Sequence, residues 1–139
     1  MYDIIGDVHG HAQLLKKLLT KLGYKKSDEG YVHSSRKAVF VGDFINRGPS
    51  IRKTIRIVRD MVESGNAFAI LGNHEINAVI ASLRDKKGMP LIKPPLKQFV
   101  SVIKTTKEFA DDKEEWEGHL KWLRSLPLFL ELEGIRVIH

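Results

Sequence analysis

The sequence has no cysteine, five prolines and no apolar run approaching the length of a membrane span. Without cysteine there is no disulfide and no thiolate metal site, so any metal must be held by His, Asp, Glu or Asn. A spanning helix needs about 20 predominantly apolar residues, and no such helix is expected here. Aromatic residues make up only 8% of the chain, and no basic run is interleaved with them as single-strand nucleic-acid binders require. Acidic residues are also in deficit, 17 against 23 Lys plus Arg. The resulting charge of +6 suits an anionic partner, with phosphate esters ahead of nucleic acid. The opening Tyr2-Asp3-Ile4-Ile5 reads as a strand rather than a secretory leader, and a cytoplasmic location is the expectation.

The 139 residues suffice for one domain with a real core, and 42% apolar with 29% charged content is that of a globular protein. Asp3-Ile4-Ile5, Val39 to Val41 and Ala67 to Leu71 read as short buried strands. A helix follows the first, with Leu14, Leu15, Leu18, Leu19 and Leu22 on one face and Gly23 as its stop. Pro49-Ser50 opens a second, with Ile51, Ile55, Val58 and Val62 inward and a solvated face of Arg52, Lys53, Arg56 and Arg59. A third starts at His74 and runs toward Leu83. Residues 24–37 form a loop or small hairpin, and residues 84–95 a polar connector. Helices are expected around Leu96 to Phe109 and Lys113 to Leu126, with Trp116, Leu120 and Leu123 as a packing stripe. Residues 128–138 read as two strands joined by a turn at Glu133-Gly134. Strand–helix alternation predicts an α/β architecture with a largely parallel sheet.

Three short pieces carry chemistry: Gly6-Asp7-Val8-His9-Gly10, Gly42-Asp43-Phe44-Ile45-Asn46-Arg47-Gly48 and Gly72-Asn73-His74-Glu75. Each follows a strand-like run, and loops at strand ends converge in space while staying far apart in sequence. Asp7 and His9, two residues apart in an extended loop, can face one cation. Asp43 can bridge two cations with its two oxygens, and Asn73 offers a neutral amide oxygen. Nitrogen mixed with oxygen suits two divalent or trivalent ions of Mn, Fe or Zn rather than Ca or Mg. Two metals about 3.5–4 Å apart activate a shared water and clamp an in-line phosphoryl displacement. Arg47 supplies a planar fork for phosphate, and His74, beside Asn73, can protonate a leaving alkoxide. Glycines 6, 10, 42, 48 and 72 let the backbone turn and leave room near the metals. His11 reads as the start of its helix, and His33 as structural or exposed. His119 and Trp122 read as surface or packing residues. Glu75 reads as a first-turn residue complementing the helix dipole, or as a support for the loop.

Together these motifs resemble the first three signatures of calcineurin-like metallophosphoesterases. The nearest branch is the phosphoprotein phosphatase type, which includes symmetrical diadenosine tetraphosphate hydrolases. The resemblance implies a four-layer α/β/β/α fold, in which mixed sheets are flanked by helices and the second sheet is largely missing here. It implies that Asp7 and His9 bind one metal, that Asp43 bridges, and that Asn73 and His139 bind the other. Arg47 would hold phosphate and His74 act as general acid. The implied reaction uses metal-activated hydroxide and no covalent intermediate, on a phosphorylated protein or nucleotide substrate. The second signature usually reads Asp-Arg-Gly, so Asn46 stands where a carboxylate would pair with His74. A neutral amide there predicts a lower His74 pKa and a poorer acid, which keeps a catalytically weak scaffold or binding protein as an alternative, beside a polynucleotide end-processing phosphatase suggested by the net charge and the basic helix face. A further Gly-His signature is not found. Residues 1–139 are therefore expected to be a single domain truncated at its C-terminal end, or one that self-associates through uncovered sheet.

Overall fold

The computed structural model describes residues 1–28, 30–92 and 96–139. In chain order the elements are β1 (Tyr2–Ile5), α1 (Ala12–Lys21), β2 (Lys25–Ser27), β3 (Gly30–Val32), β4 (Lys37–Phe40), α2 (Ile51–Glu63), β5 (Ala67–Ala69), α3 (Asn73–Ser82), α4 (Leu96–Glu108), α5 (Lys113–Leu123), β6 (Phe129–Leu132) and β7 (Ile135–Ile138). Strands β1, β4 and β5 make a three-stranded sheet in that spatial order. All its pairings are parallel, with Ile5 opposite Phe40 and Phe40 opposite Ala69. Antiparallel pairing among the described residues is confined to the hairpins β2–β3 and β6–β7 and a single bridge between Arg84 and Pro90. The main sheet is thus parallel rather than mixed, because helical crossovers return each strand in the same direction.

Side-chain alternation sets the layers. Ala38, Phe40, Ala67 and Ala69 enter the main core, where Leu15 and Leu19 of α1, Ile55 and Val58 of α2, and Leu120 and Leu123 of α5 meet them. Alanines on this face leave room for helices to approach. The alternate residues Val39, Phe68 and Ile70 face the other way and pack against Leu130, Leu132 and Val137 of the β6–β7 hairpin. Of the two two-stranded sheets, that hairpin is the one stacked on this face of the main sheet. Part of its surface is open, with Phe129 53% and Ile138 64% exposed.

One expectation needs correction. The leucine face of α1 is narrower than its sequence suggests. Leu15 and Leu19 are buried, but Leu14 and Leu18 are exposed, because they rotate away from the core toward Ile4 on the outer side of β1. Helix α2 starts where Pro49-Ser50 marks it, with Ser50 at the N-cap position, although the Ser50 side chain makes no cap bond. The first amides of α2, on Ile51 and Arg52, instead donate to the Glu108 carboxylate, each at 2.9 Å. A residue from α4 therefore starts α2, which favours an anion at a helix N-terminus. Of the expected connector, residues 84–92 form a turn in which Asp85 N–H donates to Met89 O, and Lys93-Pro94-Pro95 lie outside the described residues. Glu108→Ala is expected to cost about 1–2 kcal/mol in chemical denaturation, and Ser50→Ala almost nothing.

Candidate metal centre

Adjacent parallel strands place the loops after β1, β4 and β5 side by side at the carboxyl edge of the sheet, where α/β proteins bind ligands. The first two loops are zipped together by backbone bonds: the amides of Val8 and His9 donate to Asp43 O, and Gly10 N–H to Phe44 O. Glu75 fastens the third. Fully buried in the first turn of α3, it accepts from Asp43 N at 2.7 Å, Phe44 N at 2.9 Å, Gly72 N at 3.0 Å and Ile45 N at 3.2 Å. Burial raises its pKa above the usual carboxylate range, and the amides of Ile45, Asp43 and Gly72 pull against that rise. Of the two roles open to Glu75, support for the loop is the one the geometry displays. Gly42 (φ +94°) and Gly72 touch backbone to backbone, and a Cβ on either would collide with the other loop. Gly6, by contrast, faces open space and carries no such constraint.

The loops bring Asp7, His9, Asp43, Asn73 and His139 together. The two oxygens of buried Asp43 point to different groups. Oδ2 lies 3.6 Å from His9 Nε2, which is itself 3.5 Å from Asp7 Oδ2. Oδ1 lies 3.7 Å from His139 Nε2, which is 3.0 Å from Asn73 Oδ1. Both histidines donate Nδ1–H to backbone carbonyls, His9 to Ile45 at 3.0 Å and His139 to Val41 at 2.7 Å. Their Nε2 atoms therefore carry lone pairs, as metal-ligating histidines do. Buried His9 Nε2 has no hydrogen-bond partner. His139 Nε2 lies beside Asp43 Oδ1 and Asn73 Oδ1, a nitrogen and two oxygens of the kind that share a metal ion. These residues fit metal ions.

His74 lies on the inner wall. Its Nε2 is 3.9 Å from Asp43 Oδ2, and its backbone N–H donates to Asp43 Oδ1 at 3.0 Å. His9, Asp43 and His74 offer ligand atoms within 4.8 Å of one another, so geometry alone would also allow His74 as a ligand. Burial lowers the His74 pKa first; Asp43 opposes this, and His9 and Arg47 add to it. The direction is the one expected, but the leading cause is desolvation. Asn46 is fully buried against His74, and Arg47 is exposed at the rim. The non-glycine residues with left-handed backbone among the described ones are His9, Asp43, Asn46 and Arg47, at φ of +44° to +66°. Such strain costs about 1–3 kcal/mol per residue and gathers at functional sites.

Two contributors from α4 escaped the sequence. Thr105, fully buried, bonds to Asn46, and Lys104 donates its ammonium to the carbonyl of Arg47. They lie almost sixty residues from the motif they support, and no local pattern marks them. His11 occupies the N-cap position of α1 without a side-chain cap bond. His33 Nδ1 accepts from the amides of Ser35 and Arg36, a structural use, while His119 and Trp122 are buried in the core.

A parallel sheet that gathers His, Asp and Asn side chains around one buried carboxylate at its carboxyl edge defines an α/β metal-site protein. The chain belongs to the calcineurin-like phosphoesterase family, whose profile matches residues 2–138. It is 38% identical over 143 aligned residues to the asymmetrical bis(5'-nucleosyl)-tetraphosphatase PrpE of Oceanobacillus iheyensis, covering 98% of this chain and 53% of that protein. It is 45% identical over 74 residues to PrpE of Halalkalibacterium halodurans, covering 52% of this chain and 30% of that protein. The chain thus spans about half the length of the O. iheyensis relative. These relatives are named as asymmetrical enzymes, whereas the motifs alone had suggested symmetrical ones. A cold-active protein-tyrosine phosphatase of a psychrophile Shewanella species shares the fold, with TM-score 0.64, 21% identity, and coverage of 99% of this chain and 41% of that one. So does a protein serine/threonine phosphatase from Saccharomyces cerevisiae, with TM-score 0.58, 20% identity, and coverage of 92% and 33%.

Glu75→Gln keeps the shape but turns an NH2 toward two of the four amides. Two buried donors without acceptors should lower the unfolding free energy by about 2–5 kcal/mol, measured by denaturant titration.

Proposed function

We propose that the protein hydrolyses phosphate esters or anhydrides, with dinucleoside polyphosphates as substrates, and that residues 1–139 belong to a single domain bearing its metal- and phosphate-binding groups. The observation that carries this reading is Asp43, a buried carboxylate whose oxygens face separate sets of donors. In this reading Asp7, His9 and Asp43 hold one ion, and Asp43, Asn73 and His139 the other. When bound, such ions lower the pKa of a shared water and neutralise phosphoryl charge. The donor set suits Mn, Fe or Zn, and manganese is our assignment.

The chain's own groups do the rest. Arg47 offers its guanidinium at the rim, where it can hold two phosphate oxygens. Lys104, bound to the Arg47 carbonyl, adds positive charge beside it. His74, deeper in the site, directs Nε2 at the reacting phosphoryl group and stabilises charge on its oxygens. Exclusion of water by Phe44, Ile45 and Asn46 beneath the loop strengthens each of these interactions. The PrpE relatives support nucleotide over phosphoprotein substrates. A nucleic-acid partner has little support, because three of the four cations of α2 are paired: Arg52 with Asp111, Arg56 with Glu115, Arg59 with Glu63. Among the described residues no helix is long and apolar enough to cross a membrane. We place the protein in the cytoplasm and assign self-association to the exposed Phe129 and Ile138.

The test is hydrolysis of diadenosine tetraphosphate by the full-length protein with added Mn. Release of ATP and AMP is expected, as against two ADP from a symmetrical cut. Asp43→Ala removes a group shared by both ions, so it should cost more than the roughly 100-fold seen when merely supporting residues are lost. Activity that survives this change would sink the assignment.

A further inference from the structure

We infer that Lys104 of α4 is a positioning residue for Arg47: its ammonium holds the Arg47 carbonyl in a left-handed turn and thereby sets the affinity of the site's rim for phosphate. The inference rests on the preceding reading that Arg47 binds phosphate. It adds to that reading a residue outside all three motifs, acting through the backbone of the second.

The turn at residues 46–48 has to be held from outside. Asn46 and Arg47 are consecutive non-glycine residues at φ +66° and +58°, a region that L side chains disfavour. On the side of β1 the support is backbone. Gly48 N–H donates to His9 O at 2.7 Å and Ser50 N–H to Gly10 O at 2.9 Å. Gly48 sits so close there that a Cβ would collide with His9 O and with Gly10. On the other side the support is α4, through residues 104, 105 and 108, which share one helix face. The Asn46 N–H donates to Thr105 Oγ1 at 3.2 Å, and the Lys104 ammonium donates to Arg47 O. Glu108 accepts the amides of Ile51 and Arg52, each at 2.9 Å. Thr105 and Lys104 thus hold the first N–H and the last C=O of the two left-handed residues.

Arg47 depends on that support more than its neighbours do. Its side chain is exposed, and among the described residues no carboxylate pairs with its guanidinium. Only the backbone, then, sets the point and direction from which the guanidinium starts. With the carbonyl released, Arg47 can relax to negative φ, which swings its Cα–Cβ bond and carries the guanidinium off the site. Each phosphate bound would have to restore the turn, and that ordering is subtracted from affinity. An ammonium on a carbonyl is a charge-assisted bond, stronger than a neutral one. Among the described residues no carboxylate competes for the Lys104 ammonium. Lys104 is also exposed, so its removal leaves no hole in the core. Arg47 meets phosphate in the bound ground state as well as during reaction, so loss of its position raises KM rather than lowering kcat.

The test measures inorganic phosphate binding by calorimetry and diadenosine tetraphosphate hydrolysis, both on the Mn-loaded full-length protein. Lys104→Met should weaken phosphate binding about 10-fold, the range of one hydrogen bond to a charged group, and raise KM by the same factor. The kcat should stay within about 3-fold of the wild type, and Mn affinity should not change. Lys104→Arg, which keeps a charged donor, should restore both phosphate binding and KM; Lys104→Ala serves if Lys104→Met does not fold. In an Arg47→Ala background, Lys104→Met should change phosphate binding less than about 2-fold, because the residue it positions is gone. Unchanged phosphate binding in Lys104→Met overturns the inference. So does an equal loss in both backgrounds, which would make Lys104 a phosphate ligand in its own right. Arg47→Ala that binds phosphate like the wild type removes the reading of Arg47 and the inference with it. Phosphate binding as expected, without hydrolysis of the dinucleotide by the wild type, upholds the inference and overturns the hydrolase reading alone.

Discussion

A single buried carboxylate, Glu75, accepts amides from Gly72, Asp43, Phe44 and Ile45, and the site is built on that contact. It joins the end of β5 to the loop after β4, and that loop is in turn zipped to the loop after β1. Hydrogen bonds to a charged acceptor in a low-dielectric interior are strong, and a buried charge without such partners would be intolerable. The contact therefore fixes the path of the backbone around it. The left-handed conformations at Asp43, Asn46 and Arg47 persist because the ends of this loop cannot relax.

On that foundation the site divides into an inner and an outer half. His9, Asp43 and His74 are buried, while Asp7, Asn73 and Arg47 face solvent. The inner half sets orientation and the outer half is where a charged substrate can arrive. Helix α4 serves both. Glu108 starts α2, Thr105 orients Asn46, and Lys104 reaches the Arg47 carbonyl. A helix outside all three motifs thus controls the conformation of the second one.

Much of this was legible in the sequence. The strands were marked by short apolar runs, the helices by 3.6-residue periodicity, and the site by three glycine-framed motifs whose ligand types converge only if their strands are neighbours. What could not be read were contacts without a local pattern. Leu14 and Leu15 look alike in sequence, and only the direction of the core separates them. Pro49-Ser50 marks the start of α2, yet the carboxylate that takes its first amides is Glu108, from α4. Glu75 reads as a first-turn residue complementing the helix dipole or as a support for the loop, with no sign that it holds four donors. Asn46 was noted as a missing charge, but its orientation depends on Thr105, fifty-nine positions away.

Residue identity alone determined the chemistry available: no thiolates, a His, Asp and Asn donor set, and a neutral amide in place of a carboxylate beside His74. Those are covalent facts, and folding cannot change them. The tertiary structure decided direction. Which oxygen of Asp43 faces which histidine, and which buried groups meet Asn46 and His74, are set by partners far away in the chain. Hydrogen bonds are directional and close-range, so these choices exist only once β1, β4, β5, β7 and α4 have brought those partners within about 3 Å.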